Sequence, residues 1–135
     1  MAGPSDNSDQ MRRLLVVEDE AVIRFVLRTE LEQRGFSVTE VEDGRGALEQ
    51  FERDPDGWSG AFIDFLLPDM RGDVIIETFQ ALRPDMPIVL MTGDLDPQTE
   101  KMAMERELEV LRKPFPLERV RPLLSAMTRT EEPHP

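Results

Sequence analysis

A chain of 135 residues without cysteine can bury a core of its own, but it has no disulfide frame and no thiolate for metal binding or nucleophilic attack. Its 28 acidic against 16 basic residues give a net charge of -12, which repels nucleic-acid phosphates and makes a basic protein surface or a divalent cation the more natural partner. No apolar run approaches the roughly 18 residues of a membrane span and no signal peptide is visible, so a cytoplasmic location is the expectation.

Residues 1–10 are small and polar and read as a disordered leader. Leu14-Leu15-Val16-Val17 reads as a buried strand that ends at Glu18-Asp19-Glu20. From Ala21 to Arg34 the apolar residues Ile23, Val26, Leu27 and Leu31 recur at helical spacing, and Gly35 stops the helix. Phe36 to Val41 is a more polar strand, which suits a sheet edge. Asp43-Gly44 turns the chain, Ala47, Leu48 and Phe51 mark a short helix, and Asp54 to Gly57 is a loop.

Ala61-Phe62-Ile63-Asp64 is a third strand. An apolar run bounded by turn residues is the pattern of a strand covered on both faces, where a carboxylate is costly unless something compensates it. Gly72 to Leu82 is helical, with Ile75, Phe79 and Leu82 on one face. Ile88 to Met91 makes a fourth strand, ending in Thr92-Gly93, and Asp96 to Arg106 a polar helix. Leu108 to Leu111 is the fifth strand, followed by Arg112-Lys113-Pro114-Phe115. Leu117, Val120, Leu123, Leu124 and Met127 carry a last helix, which Pro122 should kink or split, and residues 130–135 are tail.

Five β-α alternations predict an α/β fold, a doubly wound five-stranded parallel sheet with helices on both faces. The polar second strand fits the order 2-1-3-4-5, where it lies at an edge. In that order the first and third strands flank the switch point, so their carboxyl ends should form the binding crevice.

That topology brings together side chains far apart in sequence. Glu18 and Asp19 end the first strand, Asp64 the third, Thr92 the fourth, and Lys113 follows the fifth. Three carboxylates in one pocket repel each other and are best held by a hard cation with oxygen ligands, for which Mg²⁺ is suited. Lysine adds a point charge and threonine a hydroxyl, which together could orient a phosphoryl oxygen, and an aspartate so placed can act as nucleophile and form an acyl phosphate. Each residue also has a plainer reading. Asp64 could cap a turn and Asp19 could N-cap the first helix. Thr92 could be an ordinary strand-end residue and Lys113 a solvated charge. Joint placement at four strand ends favours the site.

The segments Val16-Val17-Glu18-Asp19-Glu20, Ile63 to Gly72, Met91-Thr92-Gly93 and Lys113-Pro114-Phe115 resemble, in order and spacing, the receiver domain of bacterial two-component response regulators. The resemblance assigns residues 11–129 to the receiver. It implies that Asp64 is the phosphoacceptor, charged by a histidine kinase or a histidine phosphotransfer protein. It also implies that Glu18 and Asp19 bind Mg²⁺ with Asp64 and the Leu66 carbonyl, and that Thr92 and Lys113 contact the phosphoryl group. Lys113-Pro114 is expected to be cis, as in the family.

Two features depart from the family pattern. Val110 stands where an aromatic residue often reports phosphorylation, and Pro122 interrupts the last helix. The chain ends soon after the receiver, so the expected function is that of a stand-alone phosphoprotein. It would not be an enzyme; it would signal to a downstream protein target through phosphorylation-dependent contacts, and bind neither nucleic acid nor membrane. The alternatives are a phosphorylation-independent adaptor and the receiver portion of a hybrid histidine kinase. The only histidine, His134, neighbours two prolines and is a poor phosphodonor. Met91, Met102 and Met104 could form an adaptable contact surface, with core filling the preferred reading for at least Met91.

Overall fold

The structure, a computed structural model, describes residues 12–128; the expected leader, the tail and His134 lie outside the described residues. Five strands run in parallel: β1 (Arg13–Val17), β2 (Ser37–Val41), β3 (Gly60–Asp64), β4 (Ile88–Thr92) and β5 (Glu109–Arg112), in the order β2-β1-β3-β4-β5. Between them lie α1 (Ala21–Gln33), α2 (Gly44–Arg53), α3 (Gly72–Leu82) and α4 (Pro97–Glu105), and the short α5 (Ser125–Thr128) follows. The expected topology is the observed one.

The central strands are apolar throughout because both faces are covered. In β1, Leu15 and Val17 pack with Phe51 of α2 and Ile75, Ile76 and Phe79 of α3. Leu14 and Val16 face the other way, onto Leu27 and Leu31 of α1 and onto Val120, Leu124 and Met127. The rings of Phe51 and Phe79 stack with centroids 3.9 Å apart, locking α2 against α3. Each such side chain contributes about 1.5–3 kcal/mol by leaving water. β2 lies at the edge, and none of its residues is fully buried, which accounts for its polar sequence.

Helix ends explain the connections. After α1, Gly35 adopts φ 95°, and the amides of Gly35 and Phe36 donate to Glu32 O and Leu31 O. This left-handed exit returns the chain to β2. The same pair of bonds ends α4, but there Glu107, at φ 60°, occupies the left-handed position.

The last segment is not one helix. Leu117–Arg119 and Arg121–Leu124 are 3₁₀ turns, and regular α-helix is confined to Ser125–Thr128. Pro122 lacks an amide donor and crowds the preceding turn, so the chain uses shorter i→i+3 bonds such as Leu123 N–H to Val120 O at 3.0 Å. The apolar residues still reach the core: Val120, Leu124 and Met127 are buried. Burial survives the break; helical continuity does not.

Candidate functional site at the carboxyl end of the sheet

Parallel pairing puts the ends of β1, β3, β4 and β5 side by side. Glu18 extends β1 by one residue, its amide donating to Val41 O at 3.1 Å. Asp64 closes β3 opposite Met91, and the amide of Lys113 donates to Thr92 O at 2.8 Å as the chain leaves β5. The long side chain of Lys113 then crosses β4. Its Nζ lies 2.8 Å from Glu18 Oε1, 3.1 Å from Asp64 Oδ2 and 3.9 Å from Glu20 Oε1. The Lys113-Pro114 bond is cis.

Supporting bonds fix the acids. Glu18 Oε2 accepts from the Glu20 amide at 3.0 Å, and Arg24 Nη1 donates to the Glu18 carbonyl at 2.7 Å. Arg24 is itself paired with Glu40 on β2. Asp64 Oδ1 receives only a long bond, 3.4 Å, from the Leu66 amide. Glu18 is 0% exposed and Asp64 5%, whereas Asp19 is open to solvent. Burial pushes the Glu18 carboxyl up to about 7, although Lys113 and the Glu20 amide pull against it. Burial also raises Asp64, again against Lys113. Burial works against the Lys113 ammonium, yet its bond to Glu18 and the charge of Asp64 outweigh this and raise its pKa. Lysine therefore stays charged, while the acids retain protons more readily than free carboxylates.

One carboxylate oxygen from each of Glu18, Asp19 and Asp64 lies within 4.8 Å of the other two. The buried Glu18 Oε1 has the Lys113 charge beside it but no aligned hydrogen-bond donor. Three carboxylates against one ammonium leave the cluster short of positive charge. An oxygen-only donor set that is short of positive charge fits a hard divalent cation.

Other expected residues take different places. Asp19 does not cap α1: Glu20 holds the N-cap position, and no side chain there makes a capping bond. Thr92 is buried at the end of β4, but its hydroxyl donates to Asp94 O at 3.1 Å and accepts from the Asp94 amide at 3.2 Å, so it faces the following loop. The Leu66 side chain is 66% exposed beside Asp64.

Sequence reasoning did not identify two supports. Asp69 accepts from the amides of Gly44 (2.8 Å) and Arg45 (3.0 Å), clamping the loop after β3 to the start of α2, and these bonds lower its pKa. Asp43 caps the same helix through Gly46, at 2.8 Å, which leaves those two amides for a distant acceptor. Gly72, whose amide bonds Phe65 O at 2.6 Å, starts α3 against the backbone of Asp64 and Phe65, where a Cβ would overlap. That close approach sets the exit from Asp64.

The response regulator receiver domain model matches residues 14–125. Receiver protein CpdR of Brucella abortus is 32% identical over 111 residues, 79% of this chain and 88% of CpdR. The peroxide stress-activated histidine kinase mak3 of Schizosaccharomyces pombe is 28% identical over 124 residues, 83% of this chain but 5% of mak3. The chain spans about half the length of the further curated relatives MprA and PhoB. Among solved structures, the non-phosphorylated HemR receiver domain from Leptospira biflexa superposes with a TM-score of 0.81 at 25% identity, covering 90% of this chain and 98% of that one. A five-stranded sheet in this order, with an acid cluster and a lysine at its carboxyl end, agrees with the matched model over most of the described residues, and the chain belongs to the response regulator receiver domain family of two-component systems.

Proposed function

We propose that Asp64 receives a phosphoryl group from a histidine on a partner kinase or phosphotransfer protein, and that the chain then signals through protein contacts that differ between its two states. The observation that carries this reading is Lys113 Nζ, 3.1 Å from Asp64 Oδ2, within a cluster of otherwise uncompensated acids. A carboxylate oxygen of Asp64 attacks the phosphorus of phosphohistidine. The P–O bond forms as the P–N bond breaks, and the imidazole nitrogen keeps the electron pair. Lys113 is within reach of the oxygens that gain negative charge, and the Thr92 hydroxyl would serve them after leaving Asp94.

Glu18, Asp19 and Asp64, with the Leu66 carbonyl, would hold Mg²⁺. When bound, the ion supplies positive charge that lets two anions approach. Glu18 must lose its proton for this, and Lys113 must share its two carboxylates. The signalling role is that of a domain that is modified, not of an enzyme with turnover. No helix among the described residues is long and apolar enough to cross a membrane, which is compatible with action in the cytoplasm. The similarity to the receiver protein CpdR over 88% of that protein supports a receiver role.

Intact mass after incubation with acetyl phosphate and Mg²⁺ tests the reading. One added phosphoryl group is expected on the wild type and on Asp69→Asn, and none on Asp64→Asn. Labelling of Asp64→Asn would refute it.

A further inference from the structure

The carbonyl of Glu18 stands where the β1–β2 ladder stops. Once the Glu18 amide has donated to Val41 O, regular parallel pairing would have the Glu18 carbonyl accept from the amide of residue 43. Asp43 instead caps α2, its carboxylate on the Gly46 amide. The side chain of Arg24, one turn into α1, supplies the donor in its place, leaning back toward the start of its helix. Its guanidinium points two N–H groups at two partners: Nη1 at Glu18 O, 2.7 Å away, and Nε at Glu40 Oε1, 3.2 Å away. The other Glu40 oxygen lies 3.0 Å from Arg28 Nε. The Arg24 and Glu40 side chains are only 17% and 27% exposed, so the link is largely shielded from water.

We infer that Arg24 is a positioning residue for the metal site: by holding the Glu18 carbonyl it aims the Asp19 carboxylate at Glu18 and Asp64, and Glu40 holds the guanidinium in place. The inference rests on the acid cluster being the Mg²⁺ site. The Glu18 carbonyl and the Asp19 amide belong to one planar peptide unit, so fixing the oxygen fixes the direction in which the chain enters Asp19. Asp19 needs such help. It is exposed, and its carboxylate makes no hydrogen bond or ion pair among the described residues. Mg²⁺ demands near-ideal octahedral geometry, so a ligand free to swing costs affinity. The sign of the effect separates positioning from charge. Acting only through its field, a cation beside a cation site would weaken Mg²⁺ binding, and its removal would tighten it. Positioning predicts the reverse. Lysine keeps the charge but lacks the rigid fork that serves two partners in two directions.

The test is Mg²⁺ titration of the full ¹⁵N-labelled chain, followed at the amides of Asp19, Glu20 and Asp64. Arg24→Gln and Arg24→Lys are each expected to bind Mg²⁺ about tenfold more weakly, and Glu40→Gln about threefold more weakly. Arg34→Gln, which breaks an ion pair at the other end of the same helix, should leave the Kd unchanged. In an Asp19→Ala background, Arg24→Gln should cost nothing further, because the carboxylate it aims is gone; a merely structural loss would add. Unchanged or tighter binding in folded Arg24→Gln overturns the inference, as does full additivity with Asp19→Ala. Should Arg24→Gln not fold, wild-type affinity in both Arg24→Lys and Glu40→Gln overturns it equally. A wild type without saturable shifts at Asp19 and Asp64 would sink the Mg²⁺ reading and this inference together, whereas normal wild-type binding with unaffected variants sinks the positioning role alone.

Discussion

At the carboxyl end of the sheet, Lys113 stands between Glu18 and Asp64 with Asp19 and Glu20 close by, so acids outnumber the cation they surround. At the amino end, Arg13 lies 4.2 Å over the Trp58 ring and 3.5 Å from Asp54, and Arg83 donates to the carbonyls of Pro55 (2.9 Å) and Trp58 (3.1 Å) while pairing with Asp85. Helix carboxyl termini gather there, and Arg34, Arg83 and Arg106 sit at the C-caps of α1, α3 and α4. Their charge complements the helix dipoles. One end therefore spends its ionic groups on the fold, and the other keeps desolvated acids that only a further cation could balance. The difference separates ion pairs that hold the protein together from a cluster of acids that fits a cation.

The largest expected effect comes from removing the cation at the acidic end. Lys113→Ala should cost about 3 kcal/mol of stability, because it strips a buried pair of its partner, and it should abolish efficient labelling. The penalty should depend on pH. Glu18 is raised from 4.5 to about 7 in the folded chain, so its contribution is fully present below pH 4.5 and is lost as pH rises through about 7. Above that window Lys113 faces ionised acids, and its loss should be most severe. Denaturant melts of metal-free wild type and variant across the window would show this; a penalty that shrinks as pH rises would contradict it.

Arg83→Ala probes the other end. Two partly buried carbonyls lose their donor, at a cost of about 1–3 kcal/mol, yet the rate of phosphoryl labelling should stay unchanged. A labelling defect larger than the stability loss explains would mean that the two ends are coupled.

A smaller effect is expected at Leu66. Acyl phosphates are lost to in-line water, and Leu66, beside Asp64 with no polar group on its side chain, cannot orient one. Leu66→Asn should speed decay of the phosphorylated protein about tenfold, roughly 1.4 kcal/mol of barrier. Equal decay after donor removal would show that Leu66 does not govern water access.

Much of this contrast was legible in the sequence, because apolar runs report strands buried on both faces and the polar Ser37–Val41 segment reports an edge. The acids and lysine at strand ends could be named once the strand order was known. Side-chain direction could not. Nothing in the spacing turns the Thr92 hydroxyl toward Asp94, or extends Glu18 to within 2.8 Å of Lys113. The role of Asp69 was hidden, because its bonds to Gly44 and Arg45 cross 25 and 24 residues of sequence. Glu107 in the left-handed position was also hidden, since only glycine would have marked it. Pro122 did announce the break in the last segment, because a missing amide donor is a property of the residue itself.

Mg²⁺ titration followed by backbone amide shifts tests the contrast between the two ends most directly. Shifts should saturate at Glu18, Asp19, Asp64 and Leu66 and be absent at Arg13, Trp58 and Arg83. Binding should be tighter at about pH 8 than at about pH 6, because Glu18 must release its proton to serve as a ligand. Asp19→Ala should weaken it strongly. Shifts at the amino end, or an unchanged titration in Asp19→Ala, would contradict the assignment of the carboxyl end as the metal-binding site.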